Sequence, residues 1–240
     1  MREVTKGRQQ KPRRVMIYGV GGVGKSTLAA SFPKPLFIDL EHGLKNIDTH
    51  SVQVEDYLDF MSMCEELYDD HDYRTIVVDA ADQLQQFADA QVAMHAGVST
   101  AKQVDWGKGI DEMVHLFNAS LSALAALQQQ RNVMIVLIAH AEVSQFKDPR
   151  LEPYDRYRPR LHKDLIDPTV EWCDEVLFMN YVQSQKEVKQ SRGKTIKTTA
   201  TGDRQIYTAE APAWIAKNRC GMPDVIEPTW DSYKQYAFSE

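Results

Sequence analysis

The sequence predicts a parallel, doubly wound α/β sheet with helices on both faces and a basic β-hairpin added to it. Three observations carry this prediction. Short apolar runs alternate with segments of helical spacing from Val15 to Ala139. A glycine-rich turn joins the first run to the first helix. The run Val133–Ala139 is apolar at every position, as a strand covered on both faces must be.

The elements follow in order. Arg2, Lys6, Arg8, Lys11, Arg13 and Arg14 crowd residues 1–14, which read as a basic flexible tail ahead of a domain over 15–240. Val15–Tyr18 is an apolar strand. Ser26–Ser31 begins a helix that Pro33 and Pro35 stop. Leu36–Leu40 is a second strand. Asp56–Tyr68 has helical spacing through Tyr57, Phe60, Met61, Cys64 and Leu67. Thr75–Val78 is a third strand, closed by Asp79. Alanine-rich helical sequence follows, interrupted near Gly97 to Gly107, and Gly97–Gly109, with Lys102, Trp106 and Lys108, reads as a mobile loop. A long helix then runs to about Gln130, and Val133–Ala139 is the fourth strand.

Composition narrows the class. A chain of 240 residues suits one α/β domain. A formal net charge of −6 excludes a polycation, so any nucleic-acid contact must come from local basic patches. Cys64, Cys173 and Cys220 are scattered without a CxxC pair, which predicts reduced thiols and a cytoplasmic protein. No apolar run is long enough to span a bilayer, so no membrane partner is expected.

The strongest motif is Gly19-Val-Gly-Gly-Val-Gly-Lys-Ser26, a full match to G-x-x-x-x-G-K-[ST] between a strand and a helix. Gly19, Gly21, Gly22 and Gly24 let the backbone wrap phosphate oxygens, and Val23 contributes its N–H with them. Lys25 reaches the β- and γ-phosphates, the Ser26 hydroxyl ligates Mg2+, and Thr27 packs or bonds nearby. ATP and Mg2+ are the expected cofactors. Asp79, at the carboxyl end of its strand, is a candidate to hold the magnesium; it also suits the N-cap of the following helix. Glu41, just past the second strand, can orient or deprotonate the attacking water.

Several segments resemble RecA-type recombinases. Phe37-Ile-Asp-Leu-Glu-His-Gly-Leu44 is similar to the segment that carries their catalytic glutamate. Thr75-Ile-Val-Val-Asp79 resembles their magnesium-binding strand. Leu137-Ile-Ala-His140 resembles the strand whose last polar residue senses the γ-phosphate, with His140 in that place. Ala216-Lys-Asn-Arg219 resembles the segment that reaches a neighbour's nucleotide, with Arg219 where RecA has a second lysine. The overall size, the Asp105-Trp-Gly107 segment and the ending resemble small phage RecA-like ATPases, a group that includes single-strand annealing recombinases. The resemblance implies a homo-oligomer, ring or filament, with Lys217 and Arg219 acting across a subunit contact. It also implies single-stranded DNA as partner, a single-strand DNA-binding protein as a further one, and the host cytoplasm as location.

Two basic segments are candidates for the DNA. The first follows His140 and interleaves Phe146, Lys147, Arg150, Arg156, Arg158, Arg160 and Lys163 with Tyr154 and Tyr157. Glu142, Asp148, Glu152 and Asp155 dilute its charge, and an ordinary loop would look similar. The second is Lys186 to Arg204, containing Lys189, Arg192 and Lys194, with Ser191-Arg-Gly-Lys194 as a hairpin turn. Lysines on such a hairpin would also serve to block edge aggregation.

The expectation is an ATPase that binds and anneals single-stranded DNA in recombination. The alternatives are a hexameric helicase-like motor and a nucleotide-gated binding protein without significant hydrolysis. A ParA/MinD-type switch needs a lysine where Val20 stands, and a GTPase needs an Asn-Lys-x-Asp that is missing.

Overall fold

The computed structural model describes residues 11–190 and 193–238, with side chains described except over 183–201. The order is β1 (Arg14–Gly19), α1 (Lys25–Ala30), β2 (Pro35–Asp39), β3 (His50–Gln53), α2 (Tyr57–Glu66), β4 (Thr75–Asp79), α3 (Ala81–Ala96) and α4 (Lys108–Arg131). There follow β5 (Met134–Phe146), β6 (Tyr154–Pro159), α5 (Lys163–Trp172), β7 (Glu175–Gln190), β8 (Gly193–Tyr207), β9 (Val225–Ile226) and α6 (Trp230–Ala237).

The strands form one sheet in the order β3-β2-β4-β5-β1-β7-β8-β9, parallel from β3 to β7. β8 and β9 continue it antiparallel, and β6 pairs antiparallel with the far half of β5. Alternate side chains of each central strand enter opposite cores. Met16, Tyr18, Ile76, Val78, Ile135 and Leu137 face α2–α5, while Val15, Ile17, Val77, Val136 and Ile138 face α1 and α6. Each such burial contributes roughly 1.5–3 kcal/mol, so the central strands need no polar face.

Register sets the position of the site. Asp39, Asp79, Ile138 and Ile17 stand abreast across β2, β4, β5 and β1, with Gly19 beside His140 two residues further on. The carboxyl ends of four strands therefore open on one crevice.

The predicted helices and strands all form, with shifted ends. Asp56 caps α2 by accepting the Asp59 N–H at 2.9 Å. Gly97, at φ 67°, ends α3 in the left-handed conformation. Other expectations need correction. Arg13 and Arg14 do not belong to a tail: Arg14 opens β1, and Arg13 pairs with buried Glu175 and donates to the Ala237 carbonyl at 2.9 Å. The Gly97–Gly107 interruption is two short 3-10 turns, Ala101–Gln103 and Asp105–Gly107. They close on α4 so tightly that a Cβ on Gly109 would lie 2.0 Å from the Ala101 carbonyl oxygen. The first basic segment is no loop. β5 continues past the core, and with β6 it makes a hairpin pairing Ala141 with Pro159 and Phe146 with Tyr154. β7 and β8 form the second hairpin, pairing up to Gln190 with Gly193.

Candidate active site

The phosphate loop leaves β1 at Gly19 and enters α1 at Lys25. Gly22 and Gly24 sit at φ 72° and 98°, which side chains rarely tolerate. Gly19 is required for a different reason: a Cβ there would lie 2.1 Å from the Met179 carbonyl oxygen. Val23 turns its side chain fully into the core, and its backbone N–H lies 3.5 Å from the Val20 carbonyl. Lys25 Nζ donates to the carbonyls of Gly19 and Val20 at 3.1 and 3.2 Å. Burial lowers its pKa, while Asp79, Asp82 and Glu41 pull it back up.

One cavity of 290 Å3 gathers the predicted residues: Gly22, Gly24, Lys25, Ser26, Thr27, Glu41, Asp79 and His140 all line it. Ser26 Oγ donates to Asp79 Oδ2 at 2.7 Å. Burial pushes the Asp79 carboxyl up to about 6; the Ser26 hydrogen bond opposes this, and Glu41 and Asp39 add to it. A buried carboxylate beside a hydroxyl, facing a phosphate loop, is an oxygen donor set that fits magnesium. Asp39 shapes the neighbouring turn, its Oδ1 accepting the backbone N–H groups of Glu41 and Gly43 at 3.3 Å each.

His140 stands at the centre of a charged cluster. Its Nδ1 is 3.1 Å from Asp82 Oδ2 and 3.6 Å from Glu41 Oε1. The same Nδ1 lies 3.0 Å from Arg160 Nη2, so the ring nitrogen stands between a carboxylate and a guanidinium. Asp82 also binds Arg160, through its Nε at 3.0 Å and through its Nη2. Burial would raise the Asp82 carboxyl, but hydrogen bonds from His140 and Arg160 overcome it and hold the pKa at about 2. Sequence reasoning missed Asp82, whose one visible signal is its place three residues after Asp79 in the first turn of α3. It assigned Arg160 to DNA; the structure places this half-exposed arginine on the Asp82 carboxylate, beside His140.

Lys217 is also corrected. Its Nζ donates to the carbonyls of Val170, Glu171 and Cys173 at 2.7, 3.1 and 2.6 Å, closing the end of α5. Its backbone pairs with Val176, beside Met16, about 10 Å along the strand from Gly19. The ammonium is therefore committed within its own chain. Arg219 remains 57% exposed, with Asp174 at 3.6 Å, so it alone of the pair presents its charge outward.

The DNA candidates divide. Arg156 pairs with Glu210 at 2.6 Å, donates to the Trp214 carbonyl and lies over the Phe146 ring. Arg158 pairs with Glu142 at 2.7 Å. These two and Arg160 are paired within the chain, though Arg160 stays 49% exposed, and Glu142 is one of the acidic residues that dilute the segment. Phe146, Lys147 and Lys163 remain on the surface, as does Arg150, which pairs with Asp148 at 3.1 Å. Arg192 and the side chains of Lys189 and Lys194 lie outside the described residues.

The foot of the β7–β8 hairpin touches the phosphate loop. Tyr181 donates its hydroxyl to the Gly22 carbonyl at 3.0 Å. Arg204, paired with Tyr181 across the strands, places Nη1 2.7 Å from where a Cβ on Gly24 would stand.

Comparison with known proteins agrees with this geometry. Residues 11–220 match the AAA domain family. Over 232 residues the chain is 25% identical to the SPbeta prophage-derived uncharacterized protein YorG of Bacillus subtilis (strain 168). That alignment covers 94% of this chain but only 64% of YorG, so the chain spans less than two thirds of that relative. The matched region contains the phosphate loop, the four strand ends and the acidic cluster, and the chain belongs to the AAA domain family of P-loop ATPases.

Proposed function

We propose that this chain is a phage recombination ATPase that binds and anneals single-stranded DNA, hydrolysing ATP with magnesium. The phage setting rests on the prophage origin of YorG. The observation that carries the DNA reading is the continuity of β5. This 13-residue strand begins in the core, passes the phosphate cavity at His140 and ends at exposed Phe146. Lys147 and Arg150 follow in the turn of its hairpin; the ring and Lys147 suit bases and phosphates, and Arg150 would exchange its Asp148 partner, 3.1 Å away, for a phosphate. The return strand leads back to Arg160, on the same carboxylate as His140. Both roots of the hairpin therefore meet at Asp82.

The chemistry follows from the residues. Magnesium, when bound, neutralises charge on the β- and γ-phosphates. Ser26 and Asp79 hold it, and Lys25 leaves its loop carbonyls for phosphate oxygens. The Glu41 carboxylate takes a proton as the water oxygen bonds to the γ-phosphorus and the bond to the bridging oxygen breaks. Asp82 and Arg160 fix the His140 ring, whose orientation then reports on the γ-phosphate. Arg219 is the cation offered to a neighbour in a ring or filament. A single-strand DNA-binding protein remains a partner of this reading.

A second reading, a site complete within one subunit, is favoured by the commitment of Lys217 to α5 and by Arg160 beside the cavity. One experiment separates them: ATPase rate with and without single-stranded DNA, across protein concentration. Stimulation by DNA and a rate per subunit that rises with concentration support the recombinase reading. A rate indifferent to both rejects it.

A further inference from the structure

We infer that the nucleoside half of the nucleotide lies in a second cavity, between α1 and the segment leading into α6, with Arg204 as its cation. This rests on the reading of the loop as a phosphate site and extends it to the rest of the ligand.

The phosphate cavity, with Lys25, Ser26, Thr27, Glu41 and Asp79 among its walls, suits a phosphate chain and a cation. A second cavity of 430 Å3 shares Gly24 and Thr27 with it. Those residues are where α1 begins, so a phosphate chain cradled by the loop must leave it there. The second cavity is different in kind. Leu28, Met179, Pro228 and Trp230 give it apolar walls, and Arg204 and Asp231 give it charge. An aromatic base suits the apolar walls, and Arg204 suits the phosphate next to the ribose, while Asp231 is turned to Lys234 at 2.6 Å. Met179 Cε comes within 3.6 Å of a Cβ position on Gly24, so the apolar wall reaches the loop itself. Trp230 is held by Phe32 and Tyr233, with ring centroids 4.7 and 5.7 Å away, and presents a fixed surface. Pro228 to Asp231 lie past residue 220, where the family match ends.

The geometry has a second consequence. Arg204 stands at the foot of the β7–β8 hairpin, so a nucleotide gripped by it is joined to that hairpin as well as to the one formed by β5.

The test compares ATP with inorganic tripolyphosphate by titration calorimetry, in magnesium, on the full chain. Ser31→Trp places bulk in the second cavity from an exposed position outside the phosphate loop. Arg204→Ala removes the cation, and Arg204→Lys restores a charge without the fork. The wild type is expected to bind ATP more tightly than tripolyphosphate. Ser31→Trp should weaken ATP by about tenfold or more with tripolyphosphate unchanged, collapsing that preference. Arg204→Ala should weaken ATP by about tenfold, with partial recovery in Arg204→Lys. Trp230 fluorescence should change on ATP binding in the wild type and not in Trp230→Phe. An ATP preference kept by both Ser31→Trp and Arg204→Ala overturns the nucleoside site while leaving the phosphate site standing. A wild type that binds neither ligand overturns the phosphate site, and the nucleoside site with it.

Discussion

Asp82 holds His140 at two points: its Oδ1 accepts the His140 backbone N–H at 3.0 Å, and its Oδ2 lies 3.1 Å from the ring Nδ1. One buried carboxylate thus sets both the strand and the ring, and it binds Arg160 as well.

Asp82→Asn should leave ATP binding near wild type and lower turnover by about tenfold or more, because the ring loses its orienting charge. Stability should fall too. The folded pKa of about 2 lies below the ordinary 3.8, so the stabilisation is present above about pH 4 and lost as pH falls through 2. Its size is about 2 kcal/mol, and acid denaturation of wild type and variant should converge near pH 2. A variant with unchanged turnover and unchanged acid midpoint contradicts this.

Asp79→Asn should act in the opposite direction on stability. The folded pKa of about 6 lies above the ordinary 3.8, so the charged form costs stability above pH 6 and costs nothing below about 4. Without magnesium, the variant should be more stable at pH 7.5 by up to about 3 kcal/mol, measured by denaturant titration. Magnesium-dependent turnover should be lost. A destabilised variant would mean that the Ser26 hydrogen bond outweighs burial.

Lys25→Ala and Glu41→Gln should separate binding from chemistry. The first should lose tight ATP binding, since the loop's one ammonium is gone. The second should keep binding and cut hydrolysis by about a hundredfold or more. Calorimetry and phosphate release on the same preparations check both, and equal losses of binding and rate in Glu41→Gln would make its role structural.

Lys217→Ala and Arg219→Ala should differ, though sequence pairs them. Lys217→Ala frees three carbonyls at the end of α5 and should lower the melting temperature. Arg219→Ala should leave the melting temperature unchanged and flatten the dependence of ATPase rate on protein concentration. Mixing Arg219→Ala with Glu41→Gln should restore some activity, because the mixture contains contacts with both groups intact. No rescue between co-assembled subunits rejects action across the interface.

Much of the core was legible because its strands are buried on both faces, which leaves apolar runs such as Val133–Ala139 without alternation. The phosphate loop was legible because its chemistry is local: the glycines, Lys25 and Ser26 act within one turn. Other features depend on distant partners. β3 is an edge strand of His50-Ser-Val-Gln with no apolar run to reveal it. The hairpin of β5 and β6 looked like a loop because its alternation, Val143 against Tyr157 and Phe146 against Tyr154, appears only once the strands are paired. Arg160 and Asp82 are 78 positions apart, so sequence showed a cation without its carboxylate. Lys217 likewise looked like a solvated charge because the carbonyls that hold it belong to a helix more than forty positions earlier.

The sheet closes on both sides with short strands, four residues at β3 and two at β9. Neither offers a length of open backbone on which a second copy could zip, so the core resists edge-to-edge adhesion. β7 and β8 run on together well past β1 and β9, pairing only with each other among the described residues. Two ribbons therefore carry open flanks of backbone, β7 with β8 and the far half of β5 with β6. Open backbone is thus left to two hairpins that both root beside the phosphate loop and His140.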